Sequence, residues 1–261
     1  MNTTRRIVLG ATLALAVLAA APAAQAQTTR LDEIIARGTL RVGSTGDYKP
    51  FTYLDKTTSQ FSGFDIDFAE SLGKALGVKV EFVQTSWPNL MKDFEAGKFD
   101  VAMGGISVTL DRQKKAFFSE PYLREGKTPI ALCANKDKFQ TLEQINRPGV
   151  RVITNPGGTN EKFARANAAS ADIKVHNDNT TIFDEIVKGD ADLMMTDSSE
   201  TLYRQKLEPQ LCAVHPDKPF DFAEKAYMLP RDLALKAFVD QWLHIAKETG
   251  AYQAIYAKWL Q

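Results

Sequence analysis

The chain contains the segment GKFDVAMGG at residues 97–105, and nearly the same pattern returns as GDADLMMTD at residues 189–197. In both segments a Gly is followed three residues later by an Asp and three further on by a Met, before a polar or glycine exit. A second pair, RGTLRVGSTGD (37–47) and RPGVRVITNPGG (147–158), shares a turn, a strand that begins near Arg-Val, and a glycine-rich exit. This internal repeat predicts two α/β units.

An amphipathic segment, FDIDFAESLGKALG (64–77), separates two of the predicted strands. Phe68, Leu72 and Leu76 recur at helical spacing, and Gly77 is typical of a helix end. The strand VKVEFV follows directly. Alternating helices and strands favour parallel sheets. We therefore predict an α/β fold in which each unit is a mostly parallel sheet flanked by helices.

Polar segments follow the four strands of the repeat, namely STGDYKPF, GGISVTLDR, TNPGGTNEKF and TDSSE. In open parallel sheets, ligands bind beyond the carboxyl ends of the strands. The same residue types also favour ordinary turns for local reasons. Because four such exits occur in register across the repeat, a polar ligand cleft between two lobes is the better interpretation.

Charge and histidine content restrict the ligand class. Lys plus Arg equals Asp plus Glu, at 32 each, and neither sign forms a block. This balance gives no indication of nucleic acid or of an anionic membrane surface, so we expect a small polar ligand. His176, His215 and His244 are scattered, with no Cys or acidic residue at ligand spacing. We predict neither a metal nor another cofactor.

The first 26 residues are typical of an export signal. Arg5 and Arg6 precede an apolar run at residues 7–21, and the small-residue pattern Ala-Gln-Ala ends at Ala26. The run is shorter than the roughly 20 residues that span a bilayer. We predict cleavage near Ala26 and an exported, periplasmic protein. The sequence gives no indication of its oligomeric state.

Both cysteines, Cys133 in PIALCA and Cys212 in QLCAV, lie in short apolar runs typical of strands. An exported chain reaches an oxidising compartment, where disulfides persist. We predict a disulfide between them. The alternative is two separately buried thiols, since a sequence does not give the Cα separation that a bridge requires.

The segments GDYKPFTY, FSGFDIDFAESLGKALG and AGKFDVAMGGISVTLDRQKKAFFSEPY resemble periplasmic solute-binding proteins that capture polar amino acids for importers. Within that superfamily, TSWPNLM, NPGGTNEKFARAN, ADLMMTD and FDFAEKAYMLPRD are similar to the cyclohexadienyl dehydratases. These exported lyases convert prephenate to phenylpyruvate and L-arogenate to phenylalanine. The resemblance covers the whole mature chain and implies a type II two-lobed fold and a cofactor-free dehydratase. The alternatives are a non-catalytic amino-acid carrier of an ABC importer and, less favoured, the sensor domain of a membrane receptor.

Lobe boundaries follow from the same resemblance. Lobe 1 would comprise residues 27–127 and 227–261, and lobe 2 residues 128–226. The chain would cross between the lobes near GKTPIAL and KAYMLP.

Three residues of the resemblance are expected to bind substrate carboxylates. Arg112 matches the arginine that binds the ligand carboxylate in the family, with Ser107 supplying a hydroxyl. A guanidinium suits this task because it forms two parallel, charge-assisted hydrogen bonds. It is the only cation that we place in the cleft, and the alternative is a surface Arg. Thr159 matches a second carboxylate contact and begins a helix, whose free N–H groups attract anions.

Four further residues are expected to line the same cleft. Tyr48 and Trp87 match the aromatic positions of the family, although core packing is an equal alternative for Trp87. Asn155 would bind the acid or the substrate hydroxyl, or else stabilise its own turn. Asp197 matches the acceptor for the ligand ammonium, which suits arogenate. A substrate with two carboxylates would need the Asp197 charge balanced or kept distant.

Glu200 has two interpretations. From the residues alone, Asp197 and Glu200 form an acceptable capping box at the start of a helix. The resemblance instead implies that Glu200 is the general acid that protonates the departing hydroxyl. A Glu with an ordinary pKa of about 4.3 is only roughly 0.2% protonated at pH 7. We therefore predict that desolvation and like charge raise the pKa of Glu200.

Overall fold

The computed structural model describes residues 28–261. The predicted export signal lies outside these residues. None of the helices in the described range is long and apolar enough to cross a membrane. The helices are α1 (Arg30–Arg37), α2 (Phe64–Leu76), α3 (Leu90–Glu95), α4 (Leu110–Gln113), α5 (Leu142–Ile145), α6 (Thr159–Asn167), α7 (Ile182–Val187), α8 (Ser198–Leu207), α9 (Leu233–Glu248) and α10 (Ala251–Leu260), with a 3₁₀ helix at Cys133–Lys138.

The strands divide into two main sheets and two small ones. They are β1 (Thr39–Ser44), β2 (Asp47–Tyr48), β3 (Thr52–Asp55), β4 (Gln60–Ser62), β5 (Lys79–Gln84), β6 (Val101–Ala102), β7 (Phe117–Phe118), β8 (Leu123–Glu125), β9 (Lys127–Leu132), β10 (Arg151–Thr154), β11 (Asp172–Val175), β12 (Leu193–Asp197), β13 (Leu211–Ala213), β14 (Ala223–Lys225) and β15 (Met228–Leu229).

The main sheets repeat one topology. The first has the order β5-β1-β6-β15-β7 and the second β11-β10-β12-β9-β13. In the first sheet β1 is parallel to β5 and β6, and β15 is antiparallel to both of its neighbours. In the second, β10 is parallel to β11 and β12, and β9 is antiparallel to both of its neighbours. One strand of each sheet therefore opposes the other four, which confirms the predicted mostly parallel sheets.

Both faces of each sheet are buried, as parallel sheets flanked by helices require. Successive residues of a strand point to opposite faces. In β12, Leu193 and Met195 accordingly join one apolar cluster, while Met194 joins the other. Helix α2 covers the first sheet, and its predicted apolar residues Phe68, Leu72 and Leu76 are all buried. The predicted stop is also confirmed, because Gly77 follows α2 with a φ of 71°.

Two antiparallel strands, β8 and β14, connect the two main sheets. Strand β8 leads into β9 of the second sheet, and β14 leads back to β15 of the first. Three charged residues of this connection are buried, namely Glu125 at the end of β8, Lys127 at the start of β9 and Lys225 at the end of β14. The lobe boundaries given above stay a prediction.

A disulfide joins Cys133 and Cys212, which are 79 residues apart in sequence and have a Cα–Cα distance of 4.8 Å. The antiparallel pairing of β13 with β9 brings these positions together, since Leu211 pairs with Leu132. The predicted bridge is confirmed, and the alternative of two separate thiols is wrong.

Candidate active site

The carboxyl ends of β1, β6, β10 and β12 open into one cleft between the two sheets. The lining of this cleft is formed by Tyr48, Trp87, Gly105, Ser107, Arg112, Asn155, Gly158, Thr159, Asn160, Asn179, Asp197 and Lys225. Seven of the eight predicted functional residues therefore lie together. The exception is Glu200, which lies behind the lining. The roles of all eight remain predictions.

Direct contacts across the cleft hold the two sides together. The hydroxyl of Tyr48, which follows β1, donates to Asp197 Oδ2 at the end of β12 over 2.5 Å. Gly157 packs against Pro88 on the opposite side, and a Cβ on Gly157 would lie 2.7 Å from Pro88 Cα. With a φ of 76°, Gly157 is also in the left-handed region that favours glycine. This close approach needs a residue without a side chain.

Arg112 is buried in the cleft wall at the end of helix α4. Its Nη1 donates to the carbonyl of Ser107 over 2.7 Å, which fixes the guanidinium. The helix begins at Thr109, whose hydroxyl accepts from the backbone N–H of Arg112. Burial lowers the pKa of Arg112 to about 10, and the negative charge of Asp197 opposes that shift. Arg112 is therefore a cation at neutral pH, and it is positioned to bind an anionic group.

Asp197 is buried between two lysines from the connecting strands. Lys127 Nζ donates to Oδ1 over 2.6 Å, and Lys225 Nζ donates to Oδ2 over 2.5 Å. Both lysine side chains are almost fully buried, at 2% and 1% exposure. Burial acts to raise the pKa of Asp197, but the charges of Lys127 and then Lys225 outweigh it and hold the pKa well below its usual range. Asp197 is therefore ionised throughout the ordinary pH range.

These two lysines change what the sequence predicted about the charges of the cleft. Arg112 is not the only cation in the cleft, because Lys225 also lines it and Lys127 contacts Asp197. Lysine is rarely buried without a partner, and Lys127 begins the mostly apolar strand KTPIAL. A charged residue at the start of this strand is the only indication in the sequence that Lys127 has a buried partner. Both oxygens of Asp197 are also occupied by protein donors, so its charge is balanced.

Polar side chains extend this cluster toward the start of α6. Besides Asp197, Lys127 Nζ donates to Thr159 Oγ1 over 3.0 Å and to Asn160 Oδ1 over 2.5 Å. The amide of Asn160 donates in turn to Thr196 Oγ1 over 3.0 Å and to Asn155 Oδ1 over 3.3 Å. Asn160 was not among the predicted residues, yet it links the predicted Thr159 and Asn155 through hydrogen bonds. The network fixes the cleft wall in one geometry.

Glu200 lies behind this wall, in the first turn of α8, with 0% exposure. The hydroxyl of Thr196 donates to its Oε2 over 2.6 Å. The other oxygen, Oε1, is buried without a hydrogen-bond partner among residues 28–261. Burial raises the pKa of Glu200 to about 7; the charge of Arg204 and the Thr196 hydrogen bond oppose the shift, while the charge of Asp197 adds to it. This carboxyl can keep its proton near neutral pH.

The capping-box interpretation of this segment is wrong. Asp197 is the N-cap residue of α8, but its side chain makes no capping hydrogen bond within the described residues. The backbone N–H of Ser199 instead bonds to Glu125 Oε2 over 3.1 Å. Glu125 thus satisfies one free N–H group of the helix from the neighbouring strand. Both Asp197 and Glu200 are left for other interactions.

The aromatic side of the cleft is built around Tyr48. Trp87 packs edge-on against it with a ring centroid distance of 5.6 Å, and Phe51 stacks on it at 5.2 Å. The indole N–H of Trp87 donates to Asp47 Oδ1 over 3.1 Å. The half-buried Trp87 therefore combines both predicted environments, since it packs against the core and also lines the cleft. Asn179, which was not predicted, closes the rim by donating to the backbone of Asp47.

In the described part of the chain, no three His, Cys, Asp or Glu residues are grouped so as to hold a metal ion. The charged groups of the cleft are paired with each other instead. The arrangement is an enclosed polar site with a surplus of cations and one carboxyl that can be neutral at pH 7.

Comparisons with known proteins agree with this geometry. The family described as bacterial extracellular solute-binding proteins, family 3, matches residues 40–261. The chain therefore belongs to this family, which confirms the predicted family and its two-lobed fold. It is also 58% identical over 249 residues to a cyclohexadienyl dehydratase from Pseudomonas aeruginosa, covering 95% of this chain and 92% of that protein.

Two solved structures of reconstructed ancestors are similar as well. An ancestral amino acid-binding protein, AncCDT-1, described as a precursor of cyclohexadienyl dehydratase, is 40% identical with a TM-score of 0.82, over 88% of this chain and 99% of that chain. An ancestral cyclohexadienyl dehydratase, AncCDT-3, is 57% identical with a TM-score of 0.57, over 89% of this chain and 97% of that chain.

Proposed function

We propose that this protein is an exported cyclohexadienyl dehydratase, a lyase that converts prephenate to phenylpyruvate and L-arogenate to phenylalanine without a cofactor. The observation that carries the proposal is Glu200, a fully buried carboxyl whose pKa is raised to about 7 beside a cationic cleft. The high identity to a named dehydratase supports the same reaction.

The reaction needs an acid because hydroxide is a poor leaving group. The bond from the ring to its carboxylate breaks, carbon dioxide leaves, and the electron pair completes the aromatic ring. The bond from the opposite ring carbon to the hydroxyl breaks at the same time. A proton from Glu200 converts the departing oxygen into water, and Glu200 is then reprotonated from solvent. Proton donation of this kind contributes typically about 10² to 10⁴-fold.

The environment of Glu200 makes that proton available. With a pKa of about 7, roughly half of the molecules hold the proton at pH 7, against roughly 0.2% for an ordinary Glu. Because Thr196 donates to Oε2, the proton of the neutral acid belongs on Oε1, which has no partner among the described residues. Substrate binding must therefore bring the hydroxyl to Oε1 through a local movement of the wall that now separates Glu200 from the cleft.

Other cleft residues would hold the substrate. Arg112 and Ser107 would bind the side-chain carboxylate, together with Thr159 and the free N–H groups at the start of α6, because these are the charged and polar donors of the lining. Tyr48 would line the ring. Arg112 would neutralise a substrate carboxylate, just as Lys127 and Lys225 neutralise Asp197.

Trp87 and Asn155 would complete the ligand contacts, Trp87 through its ring face and Asn155 through its amide. The lobe boundaries proposed above, 27–127 with 227–261 and 128–226, leave the cleft between the lobes. We also propose export to the periplasm with cleavage near Ala26, which the description of the family as extracellular supports.

A non-catalytic amino-acid carrier is the second candidate. The similarity to the ancestral amino acid-binding protein is consistent with it, but that protein is 40% identical, against 58% for the dehydratase from Pseudomonas aeruginosa. A carrier has no need of a general acid, whereas Glu200 is a buried carboxyl that can keep its proton near neutral pH. The two candidates therefore differ most clearly at this one residue.

The test is to incubate the purified protein with prephenate and to measure phenylpyruvate, for the parent and for Glu200→Gln. The amide keeps the size of the side chain but cannot deliver the proton, so we expect turnover to fall by about 10²-fold or more while substrate affinity changes little. Glu143→Gln, an exposed carboxyl at the start of α5, is the matched control. A parent that forms no phenylpyruvate would refute the function, and a fully active Glu200→Gln would refute the mechanism.

A further inference from the structure

At least two hydrogen bonds hold each of the two lysines beside Asp197. Lys127 Nζ lies within hydrogen-bond distance of three acceptors, on Asp197, Thr159 and Asn160. Lys225 Nζ donates to Asp197 and to Ser107 Oγ, and its third neighbour is Glu125 Oε1 at 3.4 Å. An ammonium has three donors. Both groups are therefore held in place and act on a ligand through their charge.

Asp197 is equally saturated. Its Oδ1 accepts from Lys127, and its Oδ2 accepts from Lys225 and from the hydroxyl of Tyr48. All four side chains are at most 3% exposed. The lysine ammonium groups thus occupy the positions around this carboxylate that the ammonium of an amino acid would take. An incoming amino acid would have to displace a buried, fully bonded lysine.

The cleft also keeps an excess of positive charge. Three cations, Arg112, Lys127 and Lys225, face two carboxyls, Asp197 and Glu125, and the latter lies 3.4 Å from Lys225. Burial raises the pKa of Glu200 to about 7, which limits its negative charge. Such a field favours a dianion and disfavours a ligand that brings its own cation. Prephenate and L-arogenate both carry two carboxylates, but prephenate has a keto oxygen where arogenate has an ammonium.

Resting on the proposed function, we infer that the Lys127–Asp197–Lys225 cluster is the specificity element of the cleft and selects the dianionic keto acid over the amino acid. In the cluster, the lysine ammonium groups take the place beside Asp197 that the ligand ammonium would otherwise occupy. A substrate without an ammonium then meets two cations and a neutralised Asp197. A substrate with one is repelled by the lysines and meets an Asp197 that already accepts from three protein donors, so it binds more weakly.

The test compares the affinities of prephenate and L-arogenate by calorimetry in a Glu200→Gln background, where turnover is suppressed. We expect prephenate to bind more tightly. Lys225→Met removes one cation and frees Asp197 Oδ2 from it, while Lys127 still pairs Oδ1. In this variant arogenate gains a hydrogen bond from its ammonium to Asp197, and prephenate loses a favourable interaction with one cation. The ratio of the two affinities should therefore shift toward arogenate by about tenfold or more.

Controls separate this effect from general damage. Lys174→Met removes an exposed lysine paired with Glu185 and should leave the ratio unchanged. Lys225→Gln, which retains hydrogen bonding, should shift the ratio in the same direction as Lys225→Met and serves if the latter does not fold. Asp197→Asn should weaken arogenate no more than prephenate. An unchanged ratio in both Lys225 variants, or a loss confined to arogenate in Asp197→Asn, would overturn the inference. Turnover by the parent is measured separately, so a failed specificity element and a failed dehydratase assignment remain distinguishable.

Discussion

Asp197 and Glu200 lie three residues apart at the start of α8, and both carboxyls are fully buried, yet their environments have opposite effects. The pKa of Asp197 is held well below its usual range, whereas that of Glu200 is raised to about 7. The difference comes from their partners. Two ammonium groups contact Asp197, while a single hydroxyl contacts Glu200. Two carboxyl groups on the same helix end are thus a permanent anion and a group that can keep its proton near neutral pH.

This contrast assigns a separate task to each carboxyl. Burial alone disfavours the charged form, and it is the leading effect on both groups. At Asp197 two neighbouring cations reverse it. At Glu200 the charges that oppose it are Arg204, one helical turn further on, and Lys127. The position of the lysines on the connecting strands therefore decides which carboxyl ionises.

The largest effect should follow from neutralising the anion. Asp197→Asn leaves Lys127 and Lys225 buried without their shared carboxylate, so we expect the free energy of unfolding to fall by about 3 to 5 kcal/mol at pH 7. The folded pKa of Asp197 is lowered, so its stabilisation is present above a pH of about 4 and is lost as pH falls further. The gap to the parent should narrow only in strong acid. Urea unfolding of the parent and the variant at several pH values measures this difference. Equal free energies of unfolding in the two proteins would contradict the stabilising role of the charge on Asp197.

The same type of substitution at Glu200 should act in the opposite direction. The folded pKa of Glu200 is raised, so its favourable contribution is complete below the ordinary value of 4.5 and is lost as pH rises through about 7. Glu200→Gln has no such titration. Relative to the parent, the variant should therefore gain on the order of 2 to 3 kcal/mol in unfolding free energy between pH 4 and pH 8. Parallel stability profiles for parent and variant would show that the pKa is ordinary.

A smaller effect is expected at Arg112, another charged residue of the lining. Arg112 already uses Nη1 to bind the Ser107 carbonyl. Lysine lacks the planar fork that can hold this carbonyl and a substrate carboxylate together, so Arg112→Lys should weaken prephenate binding by about tenfold. Calorimetry and the phenylpyruvate assay measure it. Parent-like affinity and turnover in Arg112→Lys would mean that the substrate carboxylate is bound elsewhere.

Much of the fold could be predicted because it depends on local patterns. The repeated segments give the strand exits, and helical spacing with Gly77 gives α2. The cysteine pair followed from two apolar runs in an exported chain, and pairing of β9 with β13 brings the two together. The strand exits and α2 are set by neighbouring residues or by the period of a single element, and only the disulfide also required a long-range strand pairing.

The charge arrangement of the site could not be predicted in the same way. Lys127 and Lys225 are nearly 100 residues apart, and each begins or ends a strand where an exposed lysine would be ordinary. Their burial results from the antiparallel connection between the sheets, which no local pattern contains. Arg112 and Thr159 were found because resemblance marks their segments. The shared role of the lysines exists only in the folded chain.

The measurement that tests the central contrast most directly is a titration of the two carboxyls by ¹³C NMR in protein labelled at its Asp and Glu side chains. Glu200→Gln and Asp197→Asn samples assign the two resonances. We expect the Glu200 resonance to titrate near pH 7 and the Asp197 resonance to stay in its ionised position down to at least about pH 3. A Glu200 resonance that titrates near pH 4.5, or an Asp197 resonance that titrates at or above its ordinary pKa, would contradict the account.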